Sequence, residues 1–193
     1  KHHVKDQLVV RNNPFIKGTF RYRKIDEGCW LTITNIEFKQ NALIKTVYDE
    51  LIPSEHYTLT FTMYESKVKL QNRFIDDIPF QNKFWGFKKP GTEVGAHFYK
   101  GSKCEFYIYH FHPEWIKKNI PFEKLEENLP FKKFLDSDKG FISYQDIVPN
   151  AEELSHEIEQ TFINFNKDIF SDTLLKSQTL SLVSTFFKNA FPD

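Results

Sequence analysis

The chain has 193 residues, 40% of them apolar and 27% charged, which suits one domain or one and a half and argues against wholesale disorder. Lys and Arg together number 26, as do Asp and Glu, so the net charge is zero and no basic nucleic-acid footprint is visible. No apolar run approaches the ~18–20 residues of a membrane span, no signal peptide follows Lys1-His2-His3, and two cysteines make neither a disulfide framework nor a CxxC site, so a reduced, cytoplasmic protein without membrane, metal or cofactor is expected.

In chain order, strands come first. Gly18 to Arg23 and Cys29 to Phe38 carry β-formers such as Phe20, Tyr22, Trp30, Ile33 and Ile36. From His56 to Tyr64, Leu59, Phe61 and Met63 alternate with Thr58, Thr60 and Thr62, the pattern of a half-exposed strand with one apolar face. Lys67 to Ile75, Asn82 to Lys88, Glu93 to Tyr99 and Cys104 to Phe111 follow, separated by turn chemistry such as Lys89-Pro90-Gly91 and Lys100-Gly101-Ser102. Short strands at this rhythm predict an antiparallel sandwich or barrel. After residue 112 the period becomes helical. Pro113 suits a first helical turn, and Pro121 to Leu135 has helical spacing broken by Pro130. Asn150 to Asn166 opens with a capping-box-like Asn150 and Glu153 and carries a Leu154, Ile158, Phe162, Phe165 stripe. Ser171 or Asp172 caps a last helix running to about Asn189. The division is therefore 1–112, a β unit, and 113–193, a helical one.

Catalytic motifs are absent. No G-x-S-x-G elbow, P-loop or G-x-G-x-x-G cradle occurs, and the seven glycines are scattered. Cys104 on a strand reads as a packing cysteine. His110-Phe111-His112 puts two imidazoles on one side of a strand, and with His97 they are the candidate ligands of a metal-dependent cupin enzyme, an isomerase or dioxygenase. Strand-end packing is the favoured role for them, and the protein reads as a non-enzyme. Aromatic residues are the stronger signal: 17% of the chain, with 21 Phe, 8 Tyr and 3 Trp. They build a core or line a partly filled interior. In the second case Phe61, Met63, Trp85, Phe87, Tyr107 and Tyr109 surround one ligand cavity, with His97 and the tyrosine hydroxyls as polar tips. Gly86 marks a bulge or a close approach. Leu175, Leu182 and Phe186, at i, i+7, i+11, form a candidate dimer face on the last helix.

Three segments resemble the N-terminal sensor domain of AraC-family transcription regulators, in particular the pyochelin-regulator-like branch. Glu27-Gly28-Cys29-Trp30-Leu31-Thr32 is similar to an early G-x-W-L strand of that family. Tyr57 to Tyr64 is similar to its strand of alternating small polar and apolar residues, although Glu65-Ser66 stands where a Gly turn is usual. Tyr109 to Ile116, with Phe111, Pro113, Glu114 and Trp115, resembles the passage from last strand to first helix, and Leu174 to Phe187 resembles the linker helices. The resemblance implies an α+β fold, an antiparallel cupin-like jelly-roll β-barrel followed by a helical C-terminal segment. It also implies a homodimer and a small-molecule effector, aromatic or siderophore-like, held in the barrel. The family's helix-turn-helix motifs are absent from this sequence, so DNA is expected to be touched only through a missing C-terminal part. A carbohydrate-binding β-sandwich is the further alternative.

Overall fold

Alternation between two kinds of side chain dictates the centre of this molecule. A strand sends successive residues to opposite faces, so a segment such as Tyr57–Glu65 presents Thr58, Thr60 and Thr62 to one layer and Leu59, Phe61 and Met63 to another. The computed structural model describes residues 6–46, 55–65, 74–75, 78–79, 82–165 and 169–192. Its strands are β1 (Asp6–Asn12), β2 (Ile16–Asp26), β3 (Cys29–Phe38), β4 (Ala42–Lys45), β5 (Tyr57–Glu65), β6 (Phe74–Ile75), β7 (Ile78–Pro79), β8 (Lys83–Lys88), β9 (Gly95–Phe98), β10 (Lys103–Phe111) and β11 (Phe141–Tyr144). Its helices are α1 (Pro113–Asn119), α2 (Phe122–Glu127), α3 (Leu129–Asp136), α4 (Ala151–Ile163) and α5 (Ser171–Ala190). The fold is α+β, with antiparallel strands leading into C-terminal helices.

Seven strands pair in the order β1-β2-β3-β10-β5-β8-β11, and four more in the order β4-β9-β6-β7. In the large sheet, Ile33, Tyr107, Phe61 and Trp85 stand side by side in one row, and Leu31, Tyr109, Leu59 and Phe87 in the next. All eight are buried. The helices cover this face: Phe186 of α5 lies with its ring centroid 5.7 Å from Trp85 and 6.2 Å from Phe87, and Phe187 lies 5.2 Å from Phe87. Ile158 and Phe162 of α4 join the same core. Polar pins fix the layer. Trp115 Nε1 donates to Asp26 at 3.1 Å, Lys176 reaches the same carboxylate at 2.8 Å, and Tyr107 OH donates to Glu159 at 3.1 Å. Gly28 takes a φ of +84° in the β2–β3 turn, and a Cβ there would meet Trp115 Cβ at 3.0 Å, so this glycine lets α1 close onto the hairpin.

Several elements differ from the sequence expectation. β1, β4 and β11 were unmarked: β1 is an edge strand with a short Leu8-Val9-Val10 centre between polar residues, β4 is four residues long, and β11 falls within the helical segment yet pairs with β8. The strand expected over 67–75 lies outside the described residues except for Phe74–Ile75. The break expected at Pro130 falls at Asn128, between α2 and α3, and Pro130 itself follows it. It sits in the first turn of α3, whose N-cap Asn128 accepts a hydrogen bond from Phe131 N at 3.1 Å. Asn150 forms no capping box; it is left-handed (φ +53°) and makes no side-chain cap, while Glu152 and Glu153 suit the positive end of α4. Phe170, rather than Ser171 or Asp172, is the N-cap of α5.

The last helix also overturns an expectation. Leu175, Leu182 and Phe186 are no dimer face, because each is at most 2% exposed within a single chain, turned to the sheet with Val183 and Phe187. The large apolar face of the sheet needs a cover, and α5 is long enough to supply it. Ser177, Ser181, Ser184 and Lys188 occupy its outer side. Among the described residues no helix is long and apolar enough to cross a membrane.

Candidate functional site

The opposite face of the large sheet does not close on helices. It faces β4 and β9, and between the two sheets lies a cavity of about 770 Å3, within the usual range for a small-molecule site. The strand register orders its floor into rows. Trp30, His110, Thr58 and Lys88 form one row across β3, β10, β5 and β8. The next holds Thr32, Ile108, Thr60 and Gly86, and the third Thr34, Phe106, Thr62 and Phe84, with Phe20 beside Thr34. The basic groups lie in the first row, beside Trp30, and Phe20, Phe84 and Phe106 lie at the third, between threonines. Ile44 of β4, with Ala96 and Phe98 of β9, lines the other side.

Gly86 explains one wall. A Cβ there would lie 2.5 Å from the Phe141 ring, so the missing side chain admits that ring over β8, and Phe141 in turn lines the cavity. Of the two readings that the sequence left for Gly86, the close approach holds here.

The basic end consists of His56, His110 and Lys88. Thr32 Oγ1 lies 3.5 Å from His110 Nε2, and the ring of His56 lies 5.4 Å from Trp30 and 5.6 Å from His112. Burial pushes the His110 imidazole down to about 4, helped by the neighbouring charges of Lys88 and His56. The same desolvation lowers Lys88, and burial followed by repulsion from His112 lowers His56. No Asp or Glu is among the described residues lining the cavity. Thr34 Oγ1 lines it too, buried and without a hydrogen-bond partner among the described residues.

The residues that the sequence reading gathered around a cavity do meet one another, but on the other side of the sheet. Phe61 stacks on Trp85 at 4.8 Å and faces Tyr107 at 6.4 Å, and with Phe87 and Tyr109 they are core beneath the helices; Met63 packs partly buried against them. Phe61 and Trp85 also border a second, smaller cleft beside Asn150 and Glu152. His97 is exposed on β9 and does not line the large cavity. The physical reason for the exchange is that the more apolar face takes the larger cover, the helical layer, which leaves the mixed threonine–aromatic face to enclose the void. The sequence held a signal for this: Phe84, Phe106 and Ile108 share a face with the threonines, which makes that face too apolar for solvent. His110 was singled out only for its H-x-H spacing. His112 ends outside the strand, against Glu114 and 3.9 Å from Glu55. Among the described residues no group of three or more His, Cys, Asp or Glu side chains is arranged to hold a metal ion.

No family model matches the sequence, and no curated protein does. Among solved structures the chain is similar to the AraC-like transcriptional activator CuxR. The likeness is loose. It has a TM-score of 0.34 and 8% identity, covering 93% of this chain and 61% of that one, so the chain spans less than two thirds of that protein's length. The cavity's own lining is mostly apolar, with threonines along its floor and the basic groups at one end.

Proposed function

We propose that this chain is the ligand-sensing part of an AraC-type transcription regulator, with a cupin-like sandwich that binds a small molecule in the cavity between its sheets. The observation that carries the ligand is the cavity itself, a void of about 770 Å3 whose walls are mostly apolar and whose basic groups, His56, His110 and Lys88, lie at one end. The unpartnered Thr34 hydroxyl supports it, since a buried donor without a partner costs free energy that a ligand's acceptor can offset. The regulator assignment is supported by the short strand and strand-to-helix motifs around Trp30 and Trp115. DNA contact belongs, in this reading, to a helix-turn-helix part outside these residues.

The layering supplies a route for the signal. Phe106, Ile108 and His110 of β10 touch the cavity, while Tyr107, Tyr109 and Phe111 of the same strand touch the helical layer. A ligand that shifts β10 therefore acts on α4 and α5 through one backbone thickness, and it biases their position only by binding one arrangement better than another. The homodimer that the resemblance implies cannot use Leu175, Leu182 and Phe186 as its contact, since they are core. The test is a thermal-shift and fluorescence screen of small apolar molecules. Trp30 is the reporter, since it lines the cavity and Trp85 does not. The expected result is ligands that raise Tm and shift the Trp30 emission, both effects being lost when Thr60→Phe fills the void. A screen in which cavity-sized apolar molecules leave both signals unchanged would refute the reading.

A further inference from the structure

We propose that the cavity binds an apolar carboxylic acid as its anion, with the carboxylate between Lys88 and His110 and the hydrocarbon body directed along the strands toward Phe20, Phe84 and Phe106. This rests on the reading that the cavity is a small-molecule site and adds the ligand's chemical class. The strand register carries it. Lys88 and His110 occupy the first row of the floor, flanking Thr58, and the aromatic row lies two rows further along. Polarity thus runs from a basic end to an apolar end along one axis, which matches a molecule with one charged head.

Glu55 acts on the basic end through His56 but does not line the cavity. Lys88 has no ion-pair or hydrogen-bond partner among the described residues, and no carboxylate lines the cavity among them. Lys88 is half-buried and its ammonium is partly desolvated, so an incoming carboxylate gains charge-assisted hydrogen bonds there that are stronger than in open water. Among the described residues, the titratable groups facing this end are Tyr22 from β2, His56 ahead of β5, Lys88 from β8 and His110 from β10. His112 and Glu55 lie beyond His56 and pair with each other at 3.9 Å. An empty site keeps the His110 imidazole neutral near pH 7, because desolvation depresses its protonation. A carboxylate beside it favours the imidazolium, so binding draws protons from solvent.

The experiment uses the whole chain and two probes of equal length and shape below the core, dodecanoate and dodecanol, titrated calorimetrically below their aggregation limits in two buffers of different ionisation enthalpy. Dodecanoate is expected to bind roughly tenfold or more tightly than dodecanol, the ratio of one charge-assisted hydrogen bond, with net proton uptake near pH 7. Lys88→Met is expected to erase that preference, read as the ratio of dodecanoate to dodecanol affinity; Lys88→Gln serves as the second variant should Met disturb folding. Thr60→Phe should abolish binding of both probes. Dodecanol binding as tightly as dodecanoate, or dodecanoate binding without proton uptake and indifferently to Lys88, overturns the ligand class and leaves the sensor reading standing. If neither probe binds, the ligand class falls, and the outcome of the broader apolar screen then decides the sensor reading separately.

Discussion

The two faces of the seven-stranded sheet are built from the same strands, residue by residue in alternation, yet they have opposite fates. On β5 the side chains of Leu59 and Phe61 end in a dense layer of rings under α4 and α5, while Thr60 and Thr62, one residue away, look into a void. The helix-facing side is close-packed, with aromatic centroids about 5–6 Å apart from Phe61 through Trp85 to Phe186 and Phe187. The other side is covered by short strands that span it without filling it. One face is packed core, and the other borders open space. A strand that looks half-exposed by its threonines can therefore be buried on both sides, with the polar side turned to a cavity instead of solvent.

The contrast predicts effects of very different size. The largest is Leu182→Glu, which puts a carboxylate into the packed layer beneath the sheet; unpaired buried charge is among the costliest substitutions, and the chain is expected to lose cooperative unfolding entirely, as read by near-UV circular dichroism. A folded Leu182→Glu protein would mean that α5 does not cover the sheet. Next comes Phe61→Ala, which leaves a cavity in a 2%-exposed site and should cost ~3–5 kcal/mol in denaturant unfolding. Thr60→Phe, its neighbour on the strand, should change stability by much less, since the ring enters existing space.

A pH effect of intermediate size belongs to the cavity side. His110 has a folded pKa of about 4 against a usual 6.5, so the unfolded chain takes up its proton first as pH falls. The stability associated with the neutral imidazole is fully present above pH 6.5 and is lost progressively between 6.5 and 4. His56 is shifted in the same direction and adds to the slope. His110→Gln is expected to flatten the fall of Tm over this window, and an unchanged slope would show that the imidazole is not desolvated. The smallest effect is Tyr109→Phe. The Tyr109 hydroxyl is buried without a hydrogen-bond partner among the described residues, so removing it should be neutral or stabilising by about 1 kcal/mol; a clear loss of stability would reveal a partner for that oxygen.

Much of the fold was legible because periodicity is a local property. The period of two over Tyr57–Glu65 and the Pro113 start of α1 both carried over directly into structure. What failed was non-local. Alternation separates Leu59 from Thr60 but does not say which layer covers which, because the cover comes from α5, more than a hundred residues later. The apolar arc of α5 was legible as an arc. Its target, the chain's own sheet rather than a second chain, depended on how much of the sheet's ring-rich face still lacked a cover. β11 escaped notice because four residues, Phe141 to Tyr144, are too few for a period to register, although their pairing to Trp85–Lys88 extends the sheet and brings Phe141 over Gly86. His110 was noticed for the wrong partner: its neighbours in space are Thr32, His56 and Lys88, which spacing in sequence does not bring together.

The central claim, that open space lies on the threonine face and packed core on the other, is tested most directly by the reactivity of substituted cysteines in the native protein. The natural Cys29 and Cys104 are buried, at 0% and 1% exposure, and serve as protected references within the same chain. With a small neutral thiol reagent, Thr60→Cys is expected to be modified rapidly in the folded state. Leu59→Cys, adjacent on β5, should react only as fast as the protein unfolds. Rapid labelling of Leu59→Cys, with Thr60→Cys as protected as Cys29, would contradict the account and return the open space to the face that carries Phe61, Trp85 and Tyr109.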